Sequence, residues 1–92
     1  MSVNVAGIEF DRVRYDASAD VLYLHRGRAS GAVAFDESPE GHHLRFDSAG
    51  NLVGITLVRP LWLLDHAGEI TISLPQTVSL RSDALNGALA VA

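Results

Sequence analysis

The chain of 92 residues contains no cysteine and no lysine, one methionine, one tryptophan and three prolines. Without cysteine there is no disulfide, no thiolate nucleophile and no cysteine-ligated zinc site. Aromatic residues make up 7% of the chain, and no apolar run approaches the ~20 residues of a membrane-spanning helix. The opening Met1–Ala6 lacks the basic segment and long apolar core of a secretory signal, so a cytoplasmic location is the default expectation. Positive charge is scarce as well. Seven arginines face eleven acids, giving a net charge of −4 with histidine neutral and an isoelectric point near 5.4. The arginines are dispersed, the densest pair being Arg26 and Arg28, so the clustered cations that release phosphate counterions are missing and no nucleic-acid partner is expected.

What the chain does have is 48% apolar residues in a length that holds one core. The dominant period is two. Leu44-Arg45-Phe46-Asp47 and Glu69-Ile70-Thr71-Ile72-Ser73-Leu74 alternate apolar and polar side chains, as half-buried strands do. Val21-Leu22-Tyr23-Leu24 and Leu52–Val58 are apolar on both faces, which suits central strands covered from both sides by a helix, loops or a second chain. Ala32–Phe35 is a fifth strand candidate. Ile8 and Phe10 share one parity and Val13 and Tyr15 the other, so the chain bulges or breaks near Asp11-Arg12. Gly54, inside a strand, implies a bulge or a close approach, with Trp62 or a partner chain as the neighbour expected.

The turns are short and polar: Asp16–Asp20, Asp47–Asn51 and Asp65–Gly68. Each follows an apolar–Asp–three residues–polar spacing that leads into an apolar run, and short links of this kind join antiparallel hairpins. Arg59-Pro60 ends the Leu52–Val58 strand, because proline cannot donate to a ladder. Leu61–Leu64 fits either a strand or a helical turn. After Leu74-Pro75 the spacing of Leu85, Ala88 and Leu89 behind Ser82-Asp83 predicts a short helix over residues 82–90. The expected architecture is α+β and mostly β. It is a single domain over 1–92, with an N-terminal strand or arm at 1–11, an antiparallel sheet of hairpins at 12–75, and the short C-terminal helix.

Two stretches also carry a resemblance. Tyr15-Asp16-Ala17-Ser18-Ala19-Asp20-Val21-Leu22-Tyr23-Leu24 and Phe46-Asp47-Ser48-Ala49-Gly50-Asn51-Leu52-Val53-Gly54-Ile55 resemble a bacterial family of small proteins, domain of unknown function 2283. The family pattern is tyrosine–aspartate, three residues, aspartate, any residue, then leucine–tyrosine–isoleucine, followed later by an aspartate–glycine turn into valine–glycine–isoleucine. Leu24 stands where isoleucine is usual, and Thr56 where an acid is commoner. The resemblance spans Tyr15 to Val58 and implies no established activity. Through it, an antitoxin-like role as the partner of a small toxin enters as an alternative.

Read from the residues alone, Tyr15, Asp16, Asp20, Leu22 and Tyr23 are structural: the aspartates bracket a turn, Leu22 and Leu24 face inward, and Tyr23 faces outward. The loop has neither the ligand number nor the glycine spacing of a calcium site. His42, His43 and Glu40, with Asp36 nearby, are the candidates for a metal or an acid/base role. Adjacent histidines at the start of a strand point to opposite faces, however, which is poor geometry for one ion. His25 and His66 are the remaining imidazoles. Trp62 sits in the most apolar stretch, where core burial is expected, with an interface anchor as the alternative. No nucleophile elbow or phosphate loop is present. The leading expectation is a non-enzymatic module without a cofactor that associates with itself as a dimer. A small-ligand or metal-dependent enzyme is the other alternative.

Overall fold

The computed structural model describes residues 1–27, 32–73, 78–85 and 87–89. Arg28, Leu74-Pro75 and two positions of the expected C-terminal helix, 86 and 90, lie outside these described residues. Among the described residues there are nine strands: β1 (Val3–Val5), β2 (Ile8–Phe10), β3 (Arg12–Asp16), β4 (Val21–His25), β5 (Ala34–Glu37), β6 (His43–Phe46), β7 (Leu52–Val58), β8 (Glu69–Ile72) and β9 (Val78–Arg81). An α-helix, α1, covers Pro60–Ala67, and a 3-10 turn covers Ser82–Leu85. The architecture is therefore mostly β, antiparallel throughout, with a short helical element near the C-terminus.

Strands β3–β7 form one sheet in the order β3-β4-β7-β6-β5. The chain leaves β4, crosses to the far edge as β5, and returns through β6 to place β7 beside β4. The phase flip near Asp11-Arg12 is a break: β2 pairs with β1 in a separate hairpin, turned at Ala6-Gly7 with both residues at positive φ. The expected strand at Ala32–Phe35 sits two residues later, at Ala34–Glu37. The strand expected over Ile70–Leu74 runs from Glu69 to Ile72 and pairs with β9 in a third hairpin. Asp65–Gly68 is not a hairpin turn. It is the end of α1, where Gly68 at φ 77 closes the last turn through its N–H to the Leu64 carbonyl. Of the two readings open for Leu61–Leu64, the structure shows the helical one, and Pro60 opens the helix at a position where no N–H is needed.

The core lies on one face of the five-stranded sheet. Leu22, Leu24, Leu44, Ile55 and Leu57 are fully buried there, with Val13, Tyr15 and Phe46 half-buried at its margin. The two outer hairpins cover them with Val3, Val5, Phe10, Ile70, Ile72 and Leu80, joined by Leu63 and Leu64 of α1 and by Leu85 and Ala88 after the 3-10 turn.

A β-bulge explains why β7 reads as apolar on both faces. Arg45 pairs with Gly54 but Phe46 pairs with Leu52, leaving Val53 as the extra residue. Strict alternation from Ile55 and Leu57 would turn Leu52 outward; the extra residue returns it to the core. Arg26 occupies the irregular backbone, its N–H reaching the Val53 carbonyl at 2.9 Å and its Nε the Leu52 carbonyl at 3.1 Å. Gly54 does allow a close approach, but not to Trp62: a Cβ there would stand 3.1 Å from His25 Cδ2 and 3.3 Å from Arg45 Cβ. Leu57 is fully buried and central, so Leu57→Ala is expected to cost about 2–5 kcal/mol in denaturant unfolding. A loss below 1 kcal/mol would contradict this placement of the core.

Candidate functional site

The tyrosine–aspartate motif forms a clasp. Helix α1 begins after Arg59, a residue in left-handed conformation (φ 56) whose side chain makes no capping bond. Four N–H groups at a helix start have no partner within the helix and must find one elsewhere. Asp20, from the β3–β4 turn, supplies it: its carbonyl accepts Arg59 N–H at 2.7 Å, and its carboxylate accepts Leu61 N–H and Trp62 N–H at 3.1 Å each. Pro60 has no N–H, so the helix start is fully satisfied by one residue 41 positions away. The Tyr15 hydroxyl donates to the same carboxylate at 2.7 Å and holds it in place. Burial raises the pKa of Asp20, but the Tyr15 hydroxyl, the two N–H groups and the Arg59 charge outweigh it, and the net shift is downward. Burial, together with the Asp20 bond and charge, pushes Tyr15 up to about 12.

Asp16 turns back on its own loop, accepting Ser18 Oγ at 2.7 Å and Ser18 N–H at 3.1 Å. The Ser18 hydroxyl is the main reason its pKa falls. Asp47 repeats this chemistry in the β6–β7 turn, accepting Ala49 and Asn51 N–H at 3.0 and 2.9 Å. The expected inward Leu22 and outward Tyr23 are both present: Leu22 is fully buried and Tyr23 is half-buried beneath the Arg14 guanidinium, 4.7 Å from its ring centroid.

The histidine candidates do not converge. His42 is 1% exposed, and its Nδ1 accepts Val58 N–H at 3.1 Å. A backbone N–H can only donate, so that nitrogen carries a lone pair and the ring is neutral. His43 lies on the opposite, exposed face and approaches Glu37 at 3.9 Å. Glu40 is committed elsewhere: its carboxylate accepts Ser73 N–H at 3.0 Å and Ser73 Oγ at 2.6 Å, tying the β5–β6 loop to the end of β8. Ser38 closes that loop, its N–H reaching the His42 carbonyl at 2.7 Å and its Oγ accepting His42 N–H at 3.1 Å. Asp36 bonds the neighbouring Glu37 N–H, and His66 stacks on Trp62 with ring centroids 4.2 Å apart. Among the described residues no group of three or more His, Asp or Glu side chains could hold a metal ion.

Trp62 departs from the expected burial. It is 45% exposed, packed between His66 and the Arg59 guanidinium, with Leu61 beside it at 44%. Helix α1 turns Leu63 and Leu64 to the core, and the side bearing Leu61 and Trp62 faces out.

The surface that individual residues do not announce is the second face of the five-stranded sheet. Register places Arg12, His25, Gly54, Arg45 and Phe35 in one row, and Arg14, Tyr23, Thr56, His43 and Glu37 in the next. Val21 and Val58 adjoin them. Phe35 is 70% exposed, with the Arg45 guanidinium 5.8 Å from its ring centroid. Both ring nitrogens of His25 are buried and have no hydrogen-bond partner among the described residues. This face could be anticipated only from the two-sided apolar character of β4 and β7, since its rows join residues of five different strands.

The whole is a small antiparallel sheet whose motif residues are spent on holding turns and a helix together, with one sheet face that no other element of the described residues covers. A family model described as Protein of unknown function (DUF2283) matches residues 12–59, more than half of the chain, and the chain belongs to that family. No curated protein and no solved structure matches it. The match ends at Arg59, immediately before the helix that Asp20 caps.

Asp20→Ala removes the cap and the Tyr15 acceptor together, and is expected to lower unfolding stability by about 1–2 kcal/mol. An unchanged urea midpoint would refute the clasp. The pKa of His42 is lowered from its ordinary 6.5, first by burial and further by His43, against the pull of Glu40. The unfolded chain therefore takes up a proton at His42 that the folded chain resists. Stability is full above about pH 6.5 and falls as the pH drops below it, until the lowered folded pKa is reached. Urea midpoints between pH 8 and 5 should show this decline, and His42→Gln, which keeps an acceptor for Val58, should flatten it. A decline of equal size in both proteins would assign it to other groups.

Proposed function

We propose that this chain is a non-enzymatic protein-interaction module that associates with itself, as a homodimer in the cytoplasm, through the open face of its five-stranded sheet. The observation that carries the reading is the asymmetry of coverage. All the outer hairpins and α1 pack on the face of Leu22, Leu24 and Leu57. On the opposite face Val21, Tyr23, His25, Thr56 and Val58 are only half-buried, although the ring nitrogens of His25 are covered. A sheet with apolar side chains at the centre of both faces gains by burying the second one against another layer. A non-enzymatic role is supported by where the acid/base groups are engaged: Asp16, Asp20, Asp47, Glu40 and His42 all hold backbone N–H groups. No helix among the described residues is long and apolar enough to cross a membrane.

Light scattering on the purified protein should report about twice the 9.8 kDa chain mass at tens of micromolar. Tyr23→Lys, which places a charge at the centre of the open face, should shift that mass toward one chain. A strict monomer across the concentration range would sink the proposal.

A further inference from the structure

The open face is charged asymmetrically, and the asymmetry selects how two copies would meet. On β3 it carries Arg12 and Arg14; the acid of that strand, Asp16, is tied into its own turn by Ser18. On β5, at the opposite edge, it carries Phe35 and Glu37 and no base. Between them lie Val21, Tyr23 and His25 on β4, Gly54, Thr56 and Val58 on β7, and His43 and Arg45 on β6. Each row thus runs from a cationic edge to an edge that is acidic or aromatic.

Two sheets that face each other across an apolar layer hold their strands within about 30° of alignment, about 10 Å apart. A closed dimer then has two simple choices of two-fold axis in the interface plane. An axis perpendicular to the strands lays each strand over its own copy, setting Arg12 and Arg14 against the second copy's Arg14 and Arg12. Like charges brought together in this way oppose association. An axis along the strands reverses the strand order, so that β3 of one copy covers β5 of the other and β7 covers β7.

We infer that the homodimer is a face-to-face sandwich whose two-fold axis runs along β7, with the β3 edge of each copy seated on the β5 edge of the other. The inference rests on the self-association proposed above and specifies its geometry. Arg14 then lies over the second copy's Glu37, and Arg12 over the face of its Phe35, an ion pair and a cation–π contact that each occur twice by symmetry. Tyr23 meets the second copy's His43. The His25 ring, whose nitrogens are already buried within each chain, lies opposite the second copy's Arg45. Thr56 falls on the axis and meets itself, a small side chain where the sheets come closest.

The test is a charge exchange read by sedimentation equilibrium. Glu37→Arg and Arg14→Glu should each raise the dimer dissociation constant at least tenfold, and the double variant should return it to within threefold of the unaltered chain. Both residues are exposed, and circular dichroism checks that the variants fold. A second readout uses the absence of cysteine. Thr56→Cys should be joined to its own copy by a short bis-maleimide, whereas Ser48→Cys, in the β6–β7 turn, should not. A dimer in which the double variant fails to recover and Thr56→Cys does not cross-link overturns this axis while leaving self-association in place. A chain that is monomeric throughout overturns the self-association reading itself.

Discussion

One carboxylate ties the two halves of this molecule together. Asp20 sits in a left-handed turn, φ 53, at the tip of the β3–β4 hairpin and there meets the start of α1. Helix starts present N–H groups that cannot be left dry and unpaired, and the residue at this helix's own cap position, Arg59, cannot accept them. The turn therefore supplies the acceptor from outside the helix. The consequence is directional. With β4 and β7 side by side, the chain leaving β7 must turn at Arg59 into the reach of Asp20, and this sets where α1 can present Leu63 and Leu64 to the core. Tyr15 completes the arrangement by donating to the same carboxylate from the inward face of β3.

The same economy recurs across the sheet. Asp16 and Asp47 close their hairpin turns, Ser38 closes a third, and Glu40 fastens that third loop to Ser73. Buried or half-buried groups that would be candidates for chemistry are instead acceptors for backbone donors. His42 shows the physical reason most clearly: it is buried, and so it is neutral and can receive the Val58 N–H. The polar investment of the fold lies at its turns and ends and on the second face of the sheet, where Arg14, His43, Arg45 and Glu37 flank Val21, Tyr23 and Val58.

Much of this was legible along the chain. Alternation located β6 and β8, the turn residues at Asp16–Asp20 and Asp47–Asn51 located two of the hairpins, and the tyrosine–aspartate spacing marked the family. These signals are local: side-chain parity and turn chemistry act over two to five residues. Trp62 misled, because an apolar stretch identifies a helix that docks somewhere, while which of its sides faces inward is decided by neighbours distant in sequence. The Asp65–Gly68 segment misled similarly, since aspartate and glycine serve a helix end as readily as a hairpin turn. The third apolar–Asp repeat therefore belongs to a helix and the first two to strands.

The absent cysteines, the scattered arginines and the period of two determined by themselves that this is a small antiparallel domain without thiol chemistry. They could not determine what the aspartates are for, because Asp20 acts on Leu61 and Trp62, 41 and 42 positions away. Nor could they order the strands: β7 returns beside β4 only after a detour through β5 and β6, and a bulge at Val53 sets which of its side chains face the core. The tertiary structure alone aligned Arg12, Arg14, Tyr23, His43, Arg45, Phe35 and Glu37 on one open face. Register across five strands is a property of hydrogen-bonded neighbours in space, and it is at that level that the cationic and acidic edges of this face appear.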